Sequence, residues 1–410
     1  MSTRIVRYFK RKGPGWCYKE EIANCGRTNE RTSLQQFPLI SCSEAAMFTP
    51  FCILGGHEAP VAVCCFTHDG KYAVTAGHDR TVRLYNPTKI EGGGSVNETN
   101  SSKTEVYGVA LPPSMASSSS STSPSLPSAL HIKTYSGLHA KEITALHLPP
   151  GNNLLVSAGG DKNVIVRDVV SGAMQRRLEG HSARVNCLGG GGGGGIVASG
   201  SYDSTVKFWD LRAKNAHKPV QELRHFKDSV TSMIMPETVN EEQTFGKREK
   251  KGSIQNNIIT STSTYEFIAA SVDCTVRTYD LRMGELKTDE FPSPVTGVAL
   301  SRDGKCLAAS LLDGRIGLVE RETGEVLNTY EGHKAGNYSL GVDFLIDEGR
   351  LVSCSEDGKC YIYDLVTRHA ETLGEGLGGA VIDVATHPSK NLLLTANSKD
   401  KFVTCYRGKN

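Results

Sequence analysis

Read for alternation, the chain repeats one phrase. A small or apolar pair is followed by a small or hydroxyl residue, then a turn aspartate, then residues alternating apolar and polar. Alternation of this kind, in short runs broken by turn residues, predicts strands. The copies run AVTAGHDRTVRLYN to Asn86, LVSAGGDKNVIVRD to Asp168, IVASGSYDSTVKFWD to Asp210 and IAASVDCTVRTYD to Asp280. They continue as LAASLLDGRIGLVE to Glu320, LVSCSEDGKCYIYD to Asp364 and LLTANSKDKFVTCYR to Arg407. The turn aspartates are Asp79, Asp161, Asp203, Asp273, Asp313, Asp357 and Asp400, spaced 82, 42, 70, 40, 44 and 43 apart. Two intervals are therefore too long by one insertion each.

Composition locates the insertions. Residues 88–130 contain a glycine triplet and the run Ser114–Ser128, with nine serines and two prolines, a composition too poor in apolar surface to order itself. Residues 236–265 are polar and charged. Without these and the 51 N-terminal residues, about 41 residues remain per copy, within the roughly 40–45 of a four-stranded propeller blade. The expected fold is all-β: a seven-bladed propeller over 48–410, preceded by a disordered basic tail over 1–47. Outer strands are expected around 134–135, 177–178, 221–223, 286–288, 328–330 and 371–373. The seventh, Phe51–Leu54, lies ahead of the first copy, so an N-terminal strand is expected to complete the last blade. A propeller must hide that open edge.

Upstream of most copies stands a Gly-His or its remnant, at His57, His139, His181, His225 and His333. Here the sequence resembles the WD-repeat family, whose blades join such a histidine to a strand Ser/Thr, the turn aspartate and a tryptophan. Blade three has the full set, His181, Ser199, Asp203 and Trp209. Blades one and six match with tyrosine in place of tryptophan: His57, Thr75, Asp79, Tyr85, and His333, Ser353, Asp357, Tyr363. Blade two has Arg167 at the aromatic position. A buried aspartate needs donors, and histidine, hydroxyl and indole can supply them. The same residues taken singly have the makings of a hydrolase triad, but the pattern repeats and no GxSxG elbow accompanies it, so the structural role is favoured.

In this fold the d–a loops and b–c turns share one face, and the a–b and c–d loops the other. The 88–130 insertion falls in a c–d loop and 236–265 in an a–b loop, and Gly189–Gly195 is expected to replace the a–b turn of blade three. All three then fall on one face, which leaves the opposite rim for partners. Its expected contact residues are His78, Glu142, Arg184, Tyr202, Tyr338, Glu356 and Lys399, with Arg184 and Tyr202 foremost, because Tyr and Arg commonly anchor interfaces.

Charge and cysteine content narrow the function. The chain has 410 residues with 46 Lys+Arg against 44 Asp+Glu, so no overall field attracts nucleic acid or anionic lipid. No apolar run reaches the roughly 18 residues that span a bilayer. Twelve cysteines without a CxxC pair or zinc spacing suit free thiols in a reducing compartment, and neither metal nor cofactor is expected. The first 31 residues carry eight Lys/Arg and three acids. A nuclear signal, a transit peptide, an RNA-touching arm or a plain solvated tail each has this pattern. Direct nucleic-acid contact is expected only there.

Over Ile268–Val366 the segments AASVDCTVRTYDLRMGEL, VALSRDGKCLAASLLDG and TGEVLNTYEGHKAGNYSLGVDF resemble the mitogen-activated protein kinase organiser family, WD repeat-containing protein 83. The resemblance extends more weakly over 52–407. It implies a non-catalytic scaffold, cytoplasmic or nuclear, a monomer within larger complexes, whose partners are kinase-cascade or spliceosomal proteins. An alternative comes from Trp209-Asp210-Leu211-Arg212 and Tyr279-Asp280-Leu281-Arg282, which fit the WDxR motif of cullin-type ubiquitin ligase substrate receptors, with Arg212 and Arg282 as adaptor contacts. No acid/base pair, metal cluster or phosphate loop marks an enzyme.

Overall fold

A computed structural model describes residues 5–12, 15–22, 47–91, 126–137, 139–191, 195–213, 217–236, 266–280, 284–374 and 378–409. The central parts of the 88–130 and 236–265 insertions lie outside these residues. Ile5–Lys12 and Gly15–Ile22 pair as an antiparallel hairpin that forms a unit of its own.

Residues from Met47 onward form seven four-stranded antiparallel sheets. Blade three is representative, with strand a Val185–Gly191, b Ile196–Ser201, c Val206–Asp210 and d Gln221–Leu223. The innermost strands of neighbouring blades pack on one another around the whole ring. Blade seven is assembled from both ends of this unit: Val381–Thr386, Leu392–Asn397 and Val403–Gly408 are completed by Phe48–Leu54, hereafter the closing strand. The expected outer strands all fall within observed fourth strands.

Strand b of each blade is buried on both faces, which explains why it reads as a near-continuous apolar run (LLVSAG, FIAAS, CLAASL). The core is a set of clusters lying between blades. Val156, Val164 and Leu178 of blade two, for instance, pack against Val185, Val197 and Trp209 of blade three.

In six blades strand a carries a bulge just after its first residue, as at Ile143/Ala145, Val185/Cys187 and Val230/Ser232. A bulge places one extra residue on the strand and re-aims its side chain. In blades two, three and four that residue stitches the ring: Thr144 Oγ1 donates to Val185 O (2.5 Å), Asn186 Nδ2 to Val230 O (2.8 Å) and Thr231 Oγ1 to Val295 O (2.8 Å). In blades seven and one it is Ile382 and Ala62, which have no donor. Aspartates on strand a join two other seams, blade six to seven and blade seven to one. Asp343 accepts from the Thr386 amide (2.9 Å) and hydroxyl (2.6 Å), and Asp383 accepts from the Cys64 amide at 2.8 Å.

The glycine tract of blade three corrects one expectation. Gly189–Gly191 are strand residues, not an a–b turn. Side chains from flanking blades occupy the space their own would fill. A Cβ on Gly190 would lie 2.1 Å from His147 Nε2, and one on Gly189 would lie 3.2 Å from Met233 Sδ.

Candidate functional site

One geometric device recurs in every blade. The amide of the residue leading the b–c turn donates to a carbonyl of the preceding d–a loop. The pairs are His78 to Pro60 (2.9 Å), Gly160 to Glu142 (2.9 Å), Tyr202 to Arg184 (3.0 Å), Val272 to Ser229 (3.0 Å), Leu312 to Pro294 (2.9 Å), Glu356 to Lys334 (2.9 Å) and Ser398 to Ala380 (2.8 Å). Turn and loop are thus clamped side by side on one rim. The aspartate that follows bends the turn: its Oδ1 accepts the amide two residues on, as Asp203 does from Thr205 at 3.0 Å. The residue between them adopts a left-handed conformation, at Arg80, Lys162, Ser204 and Cys274 and, where glycine stands, at Gly314 and Gly358. In blade seven the register is one residue away from the expected one. Lys399, not Asp400, occupies the turn-aspartate position, and Ser398 is the rim residue.

Beneath the rim lie the histidine networks. In blade three His181 Nδ1 meets Asp203 Oδ2 at 3.0 Å, His181 Nε2 meets Ser199 Oγ at 2.7 Å, and Trp209 Nε1 donates to the same oxygen at 2.9 Å. The donors run one way: indole N–H to serine, serine O–H to Nε2, and Nδ1–H to carboxylate. A neutral imidazole satisfies every group. Burial pushes the Asp203 carboxyl up, but hydrogen bonds from His181, Thr205 and Ser182 outweigh it and leave the carboxyl well below its usual range. Blade one has the same relay through His57, Asp79 (2.7 Å) and Thr75 (2.7 Å), while Tyr85 turns its hydroxyl to Gly55 O at 2.6 Å. Blade two keeps His139, Asp161 and Ser157, and Arg167 donates to Ser136 O (3.2 Å) where the aromatic was expected.

Blade six does not assemble its four residues. Tyr361, four residues after Asp357, donates its hydroxyl to Asp357 Oδ2 at 2.8 Å. His333 meets the Tyr363 hydroxyl instead (3.1 Å), and Ser353 Oγ donates to Cys354 O at 3.2 Å. Blade four follows the same logic: Arg277, four residues after Asp273, pairs with it at 2.9 Å and lies over the Phe226 ring at 4.7 Å. The amide following the histidine donates to the turn aspartate in blades one, two and three, and Lys227 does so here, so Phe226 and not His225 occupies the histidine position. The sequence held no distinguishing signal for either, since blades one and three, whose relays form, also have a long polar residue four beyond the turn aspartate, Arg83 and Lys207.

Along the ring axis runs a channel of about 1380 Å³. His78, Glu142, Arg184, Tyr202 and Tyr338 line it on the rim side; Glu356 and Lys399 do not. Tyr202 is 63% exposed and Tyr338 46%. Arg184 is exposed, its Nε hydrogen-bonded to Asn186 Oδ1 at 2.8 Å. Glu356 serves as a brace: its carboxylate accepts the amides of Asn337 (2.5 Å) and Tyr338 (2.9 Å), fixing the longer d–a loop of blade six. Lys399 Nζ donates to Gly378 O at 2.6 Å. On the opposite face, Arg212 pairs with Asp210 at 3.1 Å and lies against the a–b loop at Gly195. Arg282 lies outside the described residues. Among the described residues no group of His, Cys, Asp and Glu is arranged to hold a metal ion, and no helix is long and apolar enough to cross a membrane.

Seven four-stranded sheets on one axis, with histidine–aspartate relays tying turns to loops, define a WD-repeat propeller, a protein-interaction fold. The WD domain, G-beta repeat model matches residues 48–86, 131–168, 172–210 and 324–364. A WD repeat domain-containing protein 83 homolog of Dictyostelium discoideum is 30% identical over 348 residues, covering 84% of this chain and 94% of that protein. The chain belongs to the WD repeat domain-containing protein 83 family. The family's rat and human proteins are 43% and 42% identical over 135 and 130 residues, 33% and 32% of this chain and 42% and 40% of theirs.

Proposed function

We propose that the chain is a non-catalytic scaffold whose d–a/b–c rim docks proteins, nucleating assemblies of the kinase-organiser kind in the cytoplasm or nucleus. Its partners are components of a mitogen-activated protein kinase cascade or of the spliceosome. The observation that carries this reading is the rim itself. Seven clamped turns stay short around the channel mouth, and Arg184, Tyr202 and Tyr338 stand exposed beside it, whereas both long insertions leave from the other face. Exposed Tyr and Arg at the centre of a surface are the residue types that most often dominate binding energy.

The test is affinity purification of the full chain, with partners identified by mass spectrometry, beside a variant carrying Arg184→Ala and Tyr202→Ala. Partners retained by the wild type and lost by a variant of unchanged melting temperature support the rim. Equal recovery by both overturns it. An Arg212→Ala bait distinguishes the ligase-receptor alternative, which requires a ligase adaptor that this substitution releases.

A further inference from the structure

The seam that closes the ring carries two thiols in register. Cys52 on the closing strand and Cys405 on strand c of blade seven are direct cross-strand partners. Both are fully buried in one cluster, the Cys52 thiol donating to Pro87 O at 3.6 Å and the Cys405 thiol to Tyr406 O at 4.0 Å. Directly opposed residues of an antiparallel ladder have Cα atoms about 4.5 or 5.5 Å apart, their side chains leaving the same face. Both spacings fall within the roughly 4.4–6.8 Å that a disulfide bridges. We propose that Cys52 and Cys405 form a redox-modifiable pair whose oxidation covalently closes the propeller.

The oxidant class is a small disulfide such as glutathione disulfide. The Cys52 thiolate attacks one of its sulfurs, breaking that S–S bond and releasing one small thiol. The Cys405 thiolate then attacks the mixed disulfide at Cys52 and releases the second. Two protein thiols give up two electrons and two protons, and the small disulfide becomes two thiols. Cys52 is the fitting attacking group. The neighbouring Cys405 thiol lowers its pKa in spite of burial, and the Arg407 charge adds to the effect. Access comes by fraying: the closing strand is the outermost strand of its sheet, and peeling it back uncovers both sulfurs together.

Position gives this pair its consequence. Hairpins and short loops connect the other strands within their blades, or an insertion does, but the closing strand is joined to blade seven by hydrogen bonds and packing alone. A Cys52–Cys405 bond encloses nearly the whole propeller, and the entropic effect of a crosslink grows with the loop it closes. A second pair serves as an internal control. Cys354 and Cys360 are also direct cross-strand partners and buried, yet they enclose one b–c turn.

The experiment uses the reduced full chain treated with glutathione disulfide, in native buffer and in mild urea. Readouts are non-reducing peptide mass spectrometry and thermal melting. We expect a Cys52–Cys405 linked peptide and a melting temperature raised by about 5 °C or more, reversed by dithiothreitol. The rise should persist in Cys354→Ser/Cys360→Ser and vanish in Cys52→Ser and Cys405→Ser. Absence of the linked peptide under both conditions, or an equal rise in Cys52→Ser, overturns the proposal. Should the serine variants fail to fold, the wild-type linked peptide decides alone. Neither outcome bears on partner docking at the rim.

Discussion

Replacing Asp203 by alanine tests the relay where it is most complete. The wild-type carboxylate accepts from His181 Nδ1 (3.0 Å), the Ser182 amide (2.9 Å), the Thr205 amide (3.0 Å) and the Thr205 hydroxyl (2.5 Å). The His181 and Asp203 side chains are 0% and 8% exposed, so water does not replace what is lost. The Ser182 amide lies at the surface and is rehydrated. His181 Nδ1–H and the two Thr205 donors are left unpaired, and at the low end of about 1 kcal/mol each they cost about 3 kcal/mol together. In a unit of this size that lowers the melting temperature by roughly 3–6 °C. The control is Asp313→Ala, whose exposed carboxylate accepts only the Arg315 amide and a surface pair with the Arg315 side chain, so the loss should be well below that of Asp203→Ala. Differential scanning fluorimetry on both variants suffices. If Asp203→Ala melts with the wild type, or no lower than Asp313→Ala, the relay does not hold the blade.

Other predictions concern pH, packing and ring closure. Burial pushes the Asp383 carboxyl up to about 7, with the Asp343 charge adding to it against the Cys64 amide. A group protonated when folded and ionised when unfolded loses stability as pH rises from about 4 to about 7, so Asp383→Asn should flatten that limb of the stability profile. Asp203 has the opposite sign: its folded pKa is depressed, so its contribution is present above about pH 4 and is lost on acidification below that. Gly190→Ala should destabilise by about 1–3 kcal/mol in chemical denaturation, because His147 must move, whereas Gly336→Ala, with open space around it, should not. Deleting the closing strand, residues 48–54, should expose the edge at Val403–Gly408 and give aggregated protein in size-exclusion chromatography. Replacing 92–125 by a short linker should leave the ring intact. That cut spares Pro127 and Ser128, since Pro127 O accepts the closing-strand amide of Ile53 at 2.9 Å and Ser128 bridges the same residue.

The repeat was legible because each blade must bury strand b on both faces and turn sharply before strand c. Those two demands leave an apolar run and an aspartate about every 41 residues, whatever else drifts. The relays of blades one and three could be read for the same reason: one aspartate needs several donors at fixed offsets. Blade six could not, because Tyr361 and His333 compete for one carboxylate, and only the packed geometry gives it to the tyrosine. Arg277 over Phe226 in blade four, and the one-residue register of Ser398 and Lys399 in blade seven, were likewise decided by neighbours across the sheet. The glycines at 189–191 carry no sign in the sequence that His147 and Met233, from the two flanking blades, will fill their space. By itself the sequence determined the blade count, the closing strand and the class of fold, since these follow from local periodicity. Which residues meet across blades, including the Asp343 and Asp383 seams and the Cys52–Cys405 pair, was decided by tertiary structure, because those partners lie tens to hundreds of residues apart and only ring closure brings them together.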